Sequence, residues 1–172
     1  MNVKIQLVHK NAKVPYRKTE GAAGYDLYLP ETVMIRPGRQ IVPLGFKIEM
    51  PLCLQGVVKP RSGFTAKGME GYEVGIMNGD ADPAVLLQDF IKANVPLRRF
   101  DIDVMEGTVD SDYRGVVGAL VKSYEELNVL VPAGTRIAQM IFEKVELPEM
   151  IEVDEITETE RGTGGFGHTG AK

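Results

Sequence analysis

The chain of 172 residues holds one cysteine, two histidines and no tryptophan. A lone Cys53 excludes an internal disulfide framework, and with only His9 and His168 beside it the four Cys and His ligands of a structural zinc site cannot be assembled. A reducing compartment suits this composition. Long apolar runs are absent too, since nothing approaches the about 20 residues needed to cross a bilayer. The opening "MNVKIQLVHK" carries Lys4 inside its apolar positions, unlike the continuous core of a signal peptide. These absences predict a soluble, cytoplasmic protein. No excess of positive charge exists either: 20 Lys and Arg stand against 24 Asp and Glu, for a net charge of -4. That balance argues against a general nucleic-acid or membrane-surface binder, and leaves room for a local basic cluster that meets a small anion. The length fits one domain with a real core.

What is present is alternation. Val3, Ile5 and Leu7, then Leu44, Phe46 and Ile48, then Val129 and Val131 in "NVLVPAG" repeat with period two, the signature of short strands with one face in a core. Pro and Gly in "RPGRQ" and "VPAGT" supply tight turns between them. Many short strands so punctuated predict a β-sandwich, jelly roll or small barrel. One segment breaks the pattern. In "DADPAVLLQDFIKANV", Asp82 is placed to cap a helix, Pro83 suits its first position, and Leu86, Leu87, Phe90 and Ile91 form a narrow apolar face.

Five further segments carry the candidate chemistry. "GAAGYDLY" (21–28) joins small residues, which allow a close turn, to Asp26. "PRSG" (60–63) reads alone as a surface turn after the Val57–Val58 strand, with Arg61 offering a planar fork matched to phosphate oxygens and Ser62 a hydroxyl on a turn opened by Gly63. Neither histidine is tied to Ser62 by a motif, so a covalent serine nucleophile is not proposed. "GTVDSDYRG" (107–115) reads alone as a β-hairpin with acidic, solvated turn residues, Asp112 pairing with Arg114. In "RIAQMIF" (136–142), Ile137, Met140 and Ile141 are core residues and Gln139 stands apart. "RGTGGFGHTG" (161–170) is glycine-rich enough to be mobile when nothing binds it, yet carries Arg161 and Phe166. It lacks the Lys-Ser/Thr pair and following helix of a P-loop.

Taken together and in this order, the five segments resemble the five motifs of the trimeric dUTPase family, which hydrolyses dUTP to dUMP and pyrophosphate. The resemblance implies an all-β, jelly-roll-like distorted β-barrel assembled as a homotrimer, with active sites shared among subunits. Residues 1–160 would form the β domain and 161–172 a flexible lid. It implies that Asp110 orients and deprotonates the attacking water, that Tyr113 packs under the sugar and refuses a ribose 2'-hydroxyl, and that main-chain groups of Thr108 and Val109 read the uracil edge. Arg61, Ser62 and Gly63 would bind phosphates, and Gln139 would reach the phosphate and water region. Arg161 would clamp the terminal phosphate and Phe166 stack on the base, with the amides of Gly167, His168 and Thr169 near the remaining phosphates. Mg2+ would be bound through substrate phosphates and water, with no direct protein ligand. Asp26 is open between a water-mediated role on that metal and a turn-stabilising one.

The sequence departs from the family pattern twice. The stretch from Ser62 to Asp110 is more than twice as long as in ordinary members, which predicts an insert at about 69–99 carrying the helix. That helix must bury its apolar face on its own subunit, on a neighbour or on a different protein. Inserts of this kind suit a phage or viral origin, with the host cytoplasm as location. The second departure is His168, where most relatives carry serine. Two other readings remain open: a regulatory protein using the insert as an interaction surface, and a dCTP deaminase relative, whose deaminating glutamate has no clear counterpart here.

Overall fold

A computed structural model describes residues 1–75 and 81–164. In chain order its strands are β1 (Lys4–Leu7), β2 (Tyr25–Tyr28), β3 (Val33–Ile35), β4 (Gly38–Pro43), β5 (Phe46–Glu49), β6 (Leu54–Lys59) and β7 (Met69–Gly75). They continue with β8 (Arg98–Phe100), β9 (Ile102–Met105), β10 (Gly107–Val109), β11 (Gly118–Ser123), β12 (Asn128–Val131) and β13 (Arg136–Lys144). Two helices interrupt them, α1 (Ser62–Lys67) and α2 (Pro83–Lys92). The strands form four sheets, in the orders β1-β5, β10-β6-β13-β2, β4-β11-β9 and β3-β12-β7-β8, with every pairing antiparallel. The fold is all-β as the alternation predicts, although among the described residues the sheets do not close into one barrel.

All four sheets feed one core. Ile35, Val42, Phe46, Met69, Val121, Val129, Ile137 and Met140 are each 2 % exposed or less. Burying a side chain of this size contributes roughly 1.5–3 kcal/mol. Leu44, Phe46 and Ile48 are all buried, as their period of two requires. Val3 and Ile5 pack against the core, whereas Leu7, expected beside them, is 45 % exposed at the end of its two-stranded ribbon. The turns at "RPGRQ" and "VPAGT" each hold a glycine at positive φ, Gly38 at 86° and Gly134 at 80°.

β12 shows why alternation alone misleads. Val129 and Val131 face the core as expected, but Leu130 between them is also fully buried. The strand is central, flanked by β3 and β7. Leu130 lies opposite Tyr72 on the other face, and the Tyr72 ring meets Phe90 of α2 at 5.5 Å between centroids. The helix expected from Asp82 and Pro83 is present, and the Asp82 carboxylate accepts a hydrogen bond from the Ala84 amide at 2.8 Å. It rests on its own chain through Phe90, yet none of its residues is buried, and Ile91 of the expected apolar face is 57 % exposed. Within the expected insert, β7 pairs with both β12 and β8 and sends Met69 into the core, and of the described residues 81–97 lie outside the sheets.

Candidate functional site

Two clusters of candidate residues flank the sheet β10-β6-β13-β2. The first is polar. β2 carries Asp26 and pairs with β13 so that Asp26 stands opposite Gln139; β13 pairs with β6 so that Gln139 stands opposite Lys59. Partners in register share a face, and Asp26, Gln139 and Lys59 therefore form one row. Arg61 follows the end of β6 and its Nε donates to Asp26 Oδ1 at 2.9 Å. Its Nη1 donates to the Arg136 carbonyl at 3.4 Å, and its guanidinium lies 5.7 Å from the Phe64 ring centroid. The expected turn at "PRSG" is instead the start of α1. Arg61 is the N-cap and its carbonyl accepts from the amides of Phe64 and Thr65, so Ser62 and Gly63 occupy the first helical turn, exposed, where amides have no acceptor within the helix.

Gln139 is held by the nitrogen end of its amide and packs with the oxygen end against Gly24. Its Nε2 donates to the Pro60 carbonyl at 2.9 Å, tying down the residue ahead of Arg61. Its Oε1 occupies the space a side chain at position 24 would need, so only Gly24 lets β2 pass this close. Ile137 and Met140 are core residues as read from the sequence; Ile141, two residues from Gln139, shares its face and is only half-buried.

Arg136 belongs to the same cluster and sequence reading missed it. Its Nη1 donates to Asp26 Oδ2 at 3.1 Å, so the carboxylate of Asp26, only 14 % exposed, has a guanidinium on each oxygen. The cause is a register shift in β13. Arg136 pairs with Tyr28, Ala138 with Leu27 and Gln139 with Asp26, which leaves Ile137 as an extra residue. Such a bulge turns the side chain before it. Arg136 and Gln139, three positions apart, reach the same face while Ile137 and Ala138 both bury. Strict alternation would have sent Arg136 to the other side.

Lys59, the third member of the row, sits between Glu143 at 3.2 Å and Glu106 at 3.6 Å. The hydrogen bond to Glu143 raises the lysine above its ordinary pKa. Glu143 is in turn held below the usual carboxylate range by hydrogen bonds from Gln55 and then Lys59.

The second cluster is a cavity of about 260 Å³ beside β10, just below the size at which drug-sized ligand sites begin. Val58, Val109, Val117 and Leu120 give it apolar walls, and Thr108, Asp110 and Tyr113 line it as well. Tyr113 folds back over its own turn, where its hydroxyl donates to the Val116 carbonyl at 3.1 Å. The ring lies so close over Gly115 that a Cβ there would collide with Oη and Cζ and stand 2.9 Å from Cε2. Gly115 is thus a second residue the sequence reading did not single out; a glycine two positions after the aromatic residue was its signal. The expected Asp112–Arg114 pair is not formed. Arg114 donates instead to the carbonyls of Ser111 and Tyr113, at 2.8 and 2.9 Å, which closes the hairpin turn through its backbone.

The cavity and the polar cluster share no residue within one chain. The cavity lies at the β10 edge of the sheet, where Val58 and Val109 line it from one face and Thr108, in register with Val57, stands on the face of Lys59, Gln139 and Asp26. From β10 to β2 is three strand spacings, about 14 Å. Arg161 joins neither: its Nε donates to the Gly164 carbonyl at 2.8 Å in an exposed turn of the tail. Phe166, Gly167, His168 and Thr169 lie outside the described residues. Among the described residues no group of three or more His, Cys, Asp or Glu could hold a metal ion, and no helix is long and apolar enough to cross a membrane.

Comparison with known proteins matches this arrangement to one family. The dUTPase family model covers the chain in two overlapping stretches, residues 10–101 and 95–170. The mitochondrial deoxyuridine 5'-triphosphate nucleotidohydrolase of Dictyostelium discoideum is 35 % identical, over 98 % of this chain and 77 % of that protein. The cowpox virus protein of the same name, strain GRI-90, is 33 % identical over 94 % of this chain and 88 % of its own length. Among solved structures, the dUTPase of Staphylococcus bacteriophage 80alpha superposes with a TM-score of 0.71 at 22 % identity, covering 98 % of each chain. The dUTPase of S. aureus phage phi11, described with a species-specific insert, gives 0.68 at 18 % identity over 92 % of this chain and 100 % of that one. The two motif clusters, the fold and the relatives agree: the chain belongs to the dUTPase family.

Proposed function

We propose that this protein hydrolyses dUTP to dUMP and pyrophosphate by attack of a water on the α-phosphate. The observation that carries the reading is that Asp110 and Tyr113 line one small apolar cavity, which suits a pyrimidine deoxynucleoside with a carboxylate at its rim. Asp110 orients the water and takes its proton, a role open to a carboxylate ionised at neutral pH and within hydrogen-bond reach. The Tyr113 ring, seated on Gly115, is the surface under the sugar and leaves no room for a 2'-hydroxyl. Main-chain groups of Thr108 and Val109 read the base edge. Arg61, Ser62 and Gly63 hold the phosphates, with Gln139 fixing the approach to Arg61.

A cavity at the β10 edge of the sheet and a phosphate cluster toward its β2 edge, with no residue in common, favour sites completed between subunits. In the trimer proposed here the cavity of one copy meets the Arg61 cluster of a second. The tail brings Arg161, Phe166, Gly167, His168 and Thr169 as a lid, the arginine on the terminal phosphate and the ring on the base. Lid closure shields the reaction from bulk water.

The donor set fits a magnesium ion that arrives with the substrate. The described residues offer no cage, and Mg2+ ordinarily keeps several waters and takes phosphates as ligands. When bound, the ion neutralises phosphate charge and orders the triphosphate. Asp26, with a guanidinium on each oxygen, serves to hold the arginines. The family match in two stretches that meet at residues 95–101 supports added sequence ahead of Phe100. Exposed Val85 and Ile91 make α2 a surface for a neighbouring subunit or another protein.

The test is pyrophosphate release with magnesium from dUTP, dTTP, dCTP and UTP. Turnover confined to dUTP, and reduced by a factor of about 10² or more in Asp110→Asn, is expected. Release from none of the four sinks the reading and favours a binding protein that retains the fold.

A further inference from the structure

We propose that Arg136 is a positioning residue of the phosphate site, which keeps Arg61 available to the substrate by occupying the second oxygen of Asp26. The inference rests on the dUTP-hydrolysing reading above and adds to it a residue that acts through another. Its basis is the bulge at Ile137, which spends one residue of register to place Arg136 on the face of Asp26 and Gln139.

The geometry assigns one oxygen of Asp26 to each arginine, Oδ1 to Arg61 Nε at 2.9 Å and Oδ2 to Arg136 Nη1 at 3.1 Å. A carboxylate facing a single guanidinium prefers to take two parallel N–H bonds. Without Arg136, the largely buried Oδ2 would lack a cation. Its nearest remedy is to clasp Arg61 side-on through Nε and Nη2. That clasp would withdraw a donor from the phosphates and leave Arg61 as a neutralised ion pair. With Arg136 present the carboxylate is shared, the cluster keeps one positive charge in excess, and the outer edge of the Arg61 fork stays open. Arg136 also accepts Arg61 Nη1 on its own carbonyl at 3.4 Å, so it steadies the same side chain from two directions. The simpler view is that Arg136 only satisfies Asp26 and supports the strand. That view predicts a change in stability and no selective effect on phosphate recognition.

The experiment compares wild type, Arg136→Gln, Arg136→Lys, Arg61→Gln and the Arg136→Gln/Arg61→Gln double variant in the full chain. Steady-state kinetics with dUTP are measured alongside calorimetric binding of α,β-imido-dUTP and of deoxyuridine. Arg136→Gln is expected to raise KM for dUTP and weaken the imido analogue by about tenfold, while deoxyuridine affinity stays within about twofold. In the Arg61→Gln background the same change should cost less than about twofold, because the group it positions is gone. Arg136→Lys keeps a cation on Oδ2 and should stay within about threefold of wild type. Unchanged analogue affinity in Arg136→Gln, an equal loss for deoxyuridine, or full additivity with Arg61→Gln would overturn the assignment. If Arg136→Gln does not fold, Arg136→Lys decides alone, and a loss of about tenfold or more in that variant overturns it. An inactive wild type would sink the functional reading instead, so the two failures are told apart.

Discussion

Replacing Gly115 by alanine should disable the nucleoside cavity while leaving the chain folded. Gly115 does not adopt positive φ, so alanine suits its backbone and the effect falls on Tyr113 alone. The new methyl would overlap the phenol oxygen and Cζ and stand 2.9 Å from Cε2, whereas carbon atoms rest at about 3.5–4.0 Å. The ring must therefore move by on the order of 1 Å, breaking the bond to the Val116 carbonyl. That hydrogen bond is worth about 1 kcal/mol at most, because Tyr113 is 43 % exposed. The melting temperature should fall by no more than about 2–4 °C. Catalysis should suffer more, since a displacement of about 1 Å in a positioning group can cost about 10²-fold. We expect kcat/KM for dUTP to fall by roughly 10–100-fold and the preference for dUTP over UTP to narrow. Gly21→Ala, where a methyl group meets open space, is the control and should behave as wild type. Wild-type kcat/KM and wild-type preference in Gly115→Ala would refute the seating of Tyr113 as the basis of sugar recognition. A drop in melting temperature of more than about 10 °C would show that Gly115 serves the fold instead.

Truncation before Arg161 should leave thermal stability within about 2 °C, because among the described residues Arg161 bonds within its own tail turn, and should remove most dUTP turnover; full activity would exclude the lid. Stability on the acid side should depend on Glu143. Its folded pKa lies below the ordinary value of 4.5, so its contribution is present above that value and is lost as pH falls through the folded one. Melting curves of wild type and Glu143→Gln should differ at neutral pH and converge as pH falls below 4.5 and through the lowered folded pKa. A constant difference down to pH 3 would show that the Gln55–Glu143–Lys59 chain is not the source.

The strands around Phe46 and Val129, the helix from Asp82 and Pro83, and the five motifs were legible in the chain because each rests on local rules: a period of two, a capping side chain, turn residues at fixed positions. Other features needed the folded chain. The burial of Leu130 depends on Tyr72 lying opposite it and on Phe90 crossing that face, contacts between residues far apart in sequence. "PRSG" read as a turn because its glycine and serine favour one, and it became a helix start because Phe64 finds the core.

The same division holds at the site. Asp110, Tyr113, Arg61 and Gln139 could be picked from residue type and motif order, since their chemistry is carried by their own side chains. Arg136 could not, because its direction depends on an extra residue in the pairing of β13 with β2, and register is a property of two strands together. Gly24 and Gly115 matter for the space they leave to Gln139 and Tyr113, and that space exists only once the neighbours are packed. The amino-acid sequence by itself determined which chemical groups the protein owns and the family they belong to. The tertiary structure decided which face each group occupies, and hence that the nucleoside cavity sits at the β10 edge of the sheet and Asp26 with its two arginines at the β2 end.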